Sequence, residues 1–204
     1  MSDNPVLITL APTALPLPEL LRAAIDAERV GAARIHLGPD VSDLDHVVAS
    51  IREHTSLIVT SSAKDSTADG FGAAPEPVNQ GSITFSAQTF IAAGVDLDSS
   101  AQWFELRFDG TMTPTQVVLQ TGVLATRFEA PLTVAGDGEA GMPAQLAAIA
   151  AGYHLRVGSS HTPLVAGSAG PRDDAGLVAR AAGIARLAGR LPMTVEQARE
   201  FLGI

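Results

Sequence analysis

The sequence predicts an α/β protein, a parallel (β/α) barrel of the TIM type, on three observations. Short apolar runs rich in β-branched residues alternate with stretches of helical spacing from one end of the chain to the other. The runs are short and read as buried, as strands are when helices cover them. No break of domain size interrupts the alternation, so residues 1–204 are read as a single domain. An open doubly wound sheet is the alternative. Seven strands can be picked out, whereas a full barrel has eight, so the barrel is expected to be shortened by one strand–helix unit.

Each element has its own signal. Pro5–Ala11 is a compact apolar run between Asn4-Pro5 and Pro12, a strand buried on both faces. Pro16 and Pro18 open a helix over Leu17–Val30, with Leu17, Leu20, Leu21, Ala24 and Ile25 on one stripe and Gly31 at its end. Ala33–Leu37 is the second strand, with Arg34, His36 and Gly38 in step on one face. Ser42 can cap a helix to about His54, Asp43 and Asp45 standing in its first turn. Ser56–Thr60 is the third strand and runs into Ser61-Ser62. Residues 63–80 shift to Gly, Pro, Asp, Ser and Ala, a loop of the length that is usually a functional lid or disordered.

Ser82–Phe85 is a short fourth strand, followed by a helix over Ala87–Ala93. Trp103–Phe108 is the fifth, with Glu105, Arg107 and Asp109 in step. Thr113-Pro114 starts a helix to about Ala125, Ala130–Ala135 is the sixth strand, and Pro143–Ala151 an Ala-rich helix. Tyr153–Val157 is the seventh strand, with His154 and Arg156 on one face. Asp173 or Asp174 caps a long helix to Leu187, stopped by Gly189, and Thr194 with Gln197 forms a capping box for Val195–Leu202.

Composition narrows the function. The net charge is -9 and Lys64 is the single lysine, which argues against nucleic acid, whose binding depends on neutralising phosphates. The chain has no cysteine, so disulfides, thiolate zinc sites and a cysteine nucleophile are excluded. No run reaches the ~20 apolar residues of a membrane span. The opening MSDNPVLITLAP lacks a basic segment and a long enough apolar run for a secretory signal. A cytoplasmic protein without a membrane partner is expected. Glycine-rich pieces at 135–141 and 167–170 lack the spacing of a nucleotide-binding turn.

The polar groups gather at Tyr153–His161, YHLRVGSSH. An arginine and a histidine on one face, then Gly-Ser-Ser-His, describe the mouth of a polar site. The competing explanation is a core strand in which Arg156 pairs with Glu105 or Asp109, since a charge inside a barrel must find a partner. His154 is read as a hydrogen-bonded core histidine or a support for a ligand, and Arg107 as part of a structural charge network.

VLITLAPT, GAARIHLGPD, IREHTSLIVTSS, HLRVG and LVARAAGIARLAGRLPMTVEQAREFLGI follow one another in that order. On these motifs the chain resembles the β-keto acid cleavage enzymes, the family of 3-keto-5-aminohexanoate cleavage enzyme. The resemblance is strongest at both ends and weakest between about Ala63 and Phe128. It implies a barrel binding one zinc. It also implies a reverse-Claisen exchange between a small β-keto acid and acetyl-CoA. One strand–helix unit of the family is expected to be absent between Gly110 and Ala130.

The family's roles transfer residue by residue. The resemblance makes His36 a zinc ligand, with Gly38 standing where the family has a second histidine. Arg156-Val157-Gly158 is kept, and Ser160 and His161 follow where the family has a Glu ligand and a catalytic Asp. His161 is then a candidate ligand beside His36, with Asp40, Glu105 or Asp109 as a possible third. Arg156 would hold the substrate carboxylate. His161, Glu105 or Asp109 would serve as base, and Ser61 or Ser62 as an oxyanion donor. Two other readings stand beside this one: a barrel that binds a small carboxylate without the family reaction, and metal-free chemistry with His36 and His161 as acid and base. Small residues along Leu177–Leu187, with the family's habit, suggest a homo-oligomer.

Overall fold

The computed structural model describes residues 4–61, 82–86, 103–126, 131–160 and 173–204. Seven strands, all parallel, are β1 Ile8–Leu10, β2 Arg34–Leu37, β3 Ile58–Ser61, β4 Ser82–Ser86, β5 Trp103–Phe108, β6 Leu132–Gly136 and β7 His154–Val157. The described helices are α1 Leu17–Val30, α2 Leu44–His54, α3 Pro114–Ala125, α4 Gly141–Ala150, α5 Asp174–Leu187 and α6 Val195–Leu202. The helix expected over Ala87–Ala93 lies outside the described residues.

The sheet runs β3-β2-β1-β7-β6-β5-β4. Each step from β1 to β3, and each from β4 to β7, advances in the same direction, and the first strand is hydrogen-bonded to the last. A doubly wound sheet reverses direction in mid-sheet; this one never does. It is barrel order, with an interval between β3 and β4 that residues 62–81, outside the described set, span in sequence. Between Gly110 and Ala130, where one strand–helix unit is expected to be absent, the described residues hold a single helix and no strand. There β5 and β6 pair directly over five rows, Phe104 opposite Leu132 to Phe108 opposite Gly136. Helix α3 joins them in an ordinary crossover.

The alternation of the strands sorts side chains into two environments. Ile8, Leu10, Ile35, Leu37, Val59, Leu106, Phe108, Leu132, Val134, Leu155 and Val157 share one core with Leu20, Ala24 and Ala27 of α1, Val48 and Ile51 of α2, and Val178 and Ala182 of α5. Those strand residues therefore face the helices. Around them α1 packs against both α2 and α5, and α3 against α4, so neighbours in the helical ring are neighbours in the chain or close it. A second cluster joins Leu7, Ala33 and Ile58, at the starts of three strands, to Met193, Ala198 and Leu202. Helix α6 thus seals the amino-terminal end. Its Thr194–Gln197 capping box is present as the sequence predicts, and Met193 N–H donates to the Val6 carbonyl at 2.9 Å, tying the helix's approach to β1.

Candidate functional site

Most of what remains on the inner face is polar. Thr9, Arg34, His36, Thr60, Glu105, Thr133 and His154 are all buried. They alternate with the helix-facing residues and stand level with one another across the strands. Thr9 pairs in register with Arg34 on one side and Arg156 on the other, His36 with Thr60, and Thr133 with His154 and with Glu105. A buried charge needs a partner. Arg156, on β7, donates through Nη1 to Glu105 Oε1 on β5, with side chains only 11% and 4% exposed. The pairing weighed from the sequence is therefore the one present.

Arg34 is a second cation in this layer. Its Nε donates to Thr9 Oγ1 at 2.8 Å. Burial lowers its pKa to about 10, which the Glu105 charge resists and the Arg156 charge assists. At neutral pH the Arg34 guanidinium stays charged.

The histidines divide by position. His36 Nδ1 lies 3.1 Å from Thr60 Oγ1, and Thr60 in turn donates to the Ile35 carbonyl at 3.2 Å. A hydroxyl that spends its proton on a carbonyl accepts from the ring, so Nδ1 carries a hydrogen. His154 is different. Its Nδ1 accepts from the Leu7 backbone N–H at 3.0 Å and its ring lies 4.8 Å from that of Phe201. Burial first, then the charges of Arg190 and Arg34, push its pKa down to about 3. It is a neutral core histidine, one of the two roles the sequence left open. Beside it a cleft of about 460 Å³, lined also by Asn4, Gln197 and Glu200, opens at the amino-terminal end, away from the strand ends that carry the site.

The segment after β7 is anchored rather than displayed. Ser160 N–H and Oγ both donate to the Ala11 carbonyl, at 3.2 and 2.7 Å. Ser159 N–H and Oγ donate to the two oxygens of Asp174, at 2.7 and 3.2 Å, and Thr13 N–H donates to Ser159 Oγ at 2.9 Å. The Asp174 carboxyl is raised above its ordinary value by burial, against those hydrogen bonds. Gly158 makes this crossing possible: at φ 153°, a Cβ there would lie 2.1 Å from the Ala11 oxygen.

The sequence-predicted residues fall out as follows. Arg156, Glu105 and His36 share the inner face. Ser61 is in step with the helix-facing Leu57 and Val59, so Thr60, not singled out from the sequence, supplies the hydroxyl beside His36. Ser62 and His161 lie outside the described residues. Asp40 is exposed. Asp109 is exposed too, and it is occupied by the N–H and hydroxyl of Thr111, at 2.8 and 2.7 Å. Arg107 pairs with Asp137 at 2.8 Å, the structural network expected of it. Arg190 was not foreseen. It donates to carbonyls of Asn4, Ile149, Gly152 and Tyr153 at 2.7–3.2 Å, stapling the start of β1 to the α4–β7 turn.

Catalytic zinc takes three protein ligands. Among the described residues no three His, Asp or Glu side chains come together. Gly38 offers no donor, Ser160 Oγ is committed to Ala11, and Glu105 to Arg156. The described donors do not fit the ion. No helix among the described residues is long and apolar enough to cross a membrane.

Fold and inner face together give a parallel α/β sheet in barrel order that holds Arg34, Arg156 and Glu105 on one face. The model of the beta-keto acid cleavage enzyme family matches residues 80–204, more than half of the chain. The chain belongs to that family. The match takes in Glu105, Thr133 and Arg156, while His36 and Ser61 precede it. No curated protein sequence matches the chain. Among solved structures, the (S)-3-O-geranylgeranylglyceryl phosphate synthase of Thermoplasma acidophilum is similar at 14% identity and TM-score 0.49, over 91% of this chain and 94% of that one. The YdjI aldolase of Escherichia coli is similar at 13% identity and TM-score 0.38, over 98% and 92%.

Proposed function

We propose that the chain acts on a small β-keto acid, cleaving it by acyl exchange with acetyl-CoA as co-substrate. The observation that supports this most is Arg156: the family match includes it, and β7 delivers it to the inner face with Glu105 as its partner. In this reading Glu105 fixes the guanidinium through Nη1, and the remaining donors of the fork receive the substrate carboxylate. His36, on the inner face beside Thr60, takes the proton next to the keto group. Glu105, engaged by Arg156, is an anchor rather than the base. His161 and Ser62 are proposed at the mouth, where β3 and β7 end, and Thr60 takes the place expected of Ser61. Assembly as a homo-oligomer is proposed as well.

The test is a panel of β-keto acids with acetyl-CoA, reading new CoA thioesters by chromatography. Turnover that disappears in Arg156→Met is the expected result; no thioester from any acid refutes the reading. Metal analysis of untagged protein accompanies it. Stoichiometric zinc that is lost in both His36→Ala and His161→Ala would establish a rebuilt metal site. Gly38 favours a second reading, in which the barrel binds a small carboxylate without transforming it. Acid binding without thioester formation would select that.

A further inference from the structure

Two buried donors on the inner face have no hydrogen-bond partner among the described residues: Arg156 Nε and Thr133 Oγ1. Thr133 is fully buried. Buried polar groups are almost always satisfied, and an exception asks for an absent acceptor. These two are neighbours by construction. To reach Glu105 on β5 from β7, the Arg156 side chain must cross β6. On β6 the residue level with Glu105 is Thr133. Continuing the register of Thr133 with His154 and Val134 with Leu155 puts Ala135 level with Arg156. The guanidinium therefore crosses β6 between a methyl group and the Thr133 hydroxyl.

We propose that Thr133 Oγ1 and Arg156 Nε are the two donors of one carboxylate seat inside the barrel, and that Thr133 is a substrate-binding residue. Each donor takes one oxygen of the carboxylate, and Glu105 holds the far side of the same guanidinium. Arg34, held by Thr9 in the same row as Arg156, adds a second positive charge that favours an anion there over a neutral ligand. The class of ligand is a small carboxylate whose reacting keto group extends toward His36. This deepens the function proposed above and rests on it.

The test uses a property of orphaned hydroxyls. In a dry core, replacing Thr133 by the isosteric Val removes an unsatisfied group and leaves stability unchanged or higher. In a ligand seat it removes a bond to a charged group, worth about 1.5–3 kcal/mol, or roughly ten- to hundredfold in affinity. Acetoacetate is the probe, with acetone as its carboxylate-free counterpart, and binding is followed by NMR titration of the full-length protein. Expected are acetoacetate binding by wild type, at least tenfold weaker binding by Thr133→Val at undiminished melting temperature, recovery by Thr133→Ser, and no acetone binding by any of them. Thr133→Val that binds acetoacetate as wild type does, while Arg156→Met does not, overturns the seat and leaves the proposed function standing. Wild type that binds no acetoacetate overturns both.

Discussion

The neutral His154 makes the fold acid-sensitive in a calculable way. Its imidazole is held to about 3 inside the barrel by burial and by the charges of Arg190 and Arg34, against about 6.5 in an unfolded chain. Between those values the unfolded chain binds a proton that the folded one refuses, so stability falls as pH falls. The loss begins near 6.5 and accrues at about 1.4 kcal/mol per pH unit until the folded value is reached. By pH 5 it amounts to about 2 kcal/mol, a large share of the ~5–15 kcal/mol of a typical domain. His154→Asn is the control: its amide oxygen stands near the position of Nδ1, can accept from Leu7 N–H, and does not titrate. Urea unfolding of both proteins from pH 8 to 4.5 isolates the effect, because the carboxylates common to both cancel. The variant is expected to be less stable than wild type at pH 8, having lost the ring contact with Phe201. It should gain on wild type by about 2 kcal/mol by pH 5. A stability difference that stays constant across the range would refute a neutral, proton-refusing His154.

Three further outcomes follow from single contacts. Gly158→Ala should prevent folding or cost more than about 4 kcal/mol, because the added Cβ meets backbone at 2.1 Å and cannot move aside; soluble expression and circular dichroism check it. Glu105→Gln should cost about 3–5 kcal/mol by leaving Arg156 buried without its counter-charge. The double variant Glu105→Met with Arg156→Met should recover most of that in denaturant titration. Thr194→Ala should lose about 1 kcal/mol through the capping box of the floor helix, read as a lower urea midpoint at unchanged slope.

Much of this was legible because it is local chemistry. The spans of α1 and α6 come from Pro16 and Pro18, and from Thr194 with Gln197, all within a turn of the helix ends they define. The cap at Asp173 is where the sequence puts one of its two choices. Alternation alone puts Arg156, His36 and Glu105 on inner-face positions. Where expectation failed, the deciding partner lies far along the chain. The paired part of β1 is Ile8–Leu10, not Pro5–Ala11, because its extent is set by β2 and β7. The helix after Ser42 is entered through a left-handed Asp43 with no side-chain cap bond, so the serine signal there was misleading. Ser61 looked like a site hydroxyl from its place after a strand, but β3 runs one residue further than expected and its parity turns Thr60 inward. Arg190 acts on carbonyls from Asn4 to Tyr153, and backbone acceptors leave no mark in a sequence.

The inner face also explains why one strand carries two basic residues with opposite behaviour. His154 and Arg156 are two positions apart on β7 and point the same way. The lower one meets Leu7 N–H and the floor, where burial and the charges of Arg190 and Arg34 oppose a third charge. The upper one meets Glu105. Exchanging the two would put a permanent cation against the floor cluster and leave Glu105 facing an imidazole. The order His-x-Arg therefore fixes polarity along the barrel axis: neutral packing below, fixed positive charge above. It follows that His154 offers neither a base nor a ligand at neutral pH. In the proposed reaction, proton transfer therefore falls to His36 or to groups beyond the strand ends, on the side where Arg156 would hold the acid.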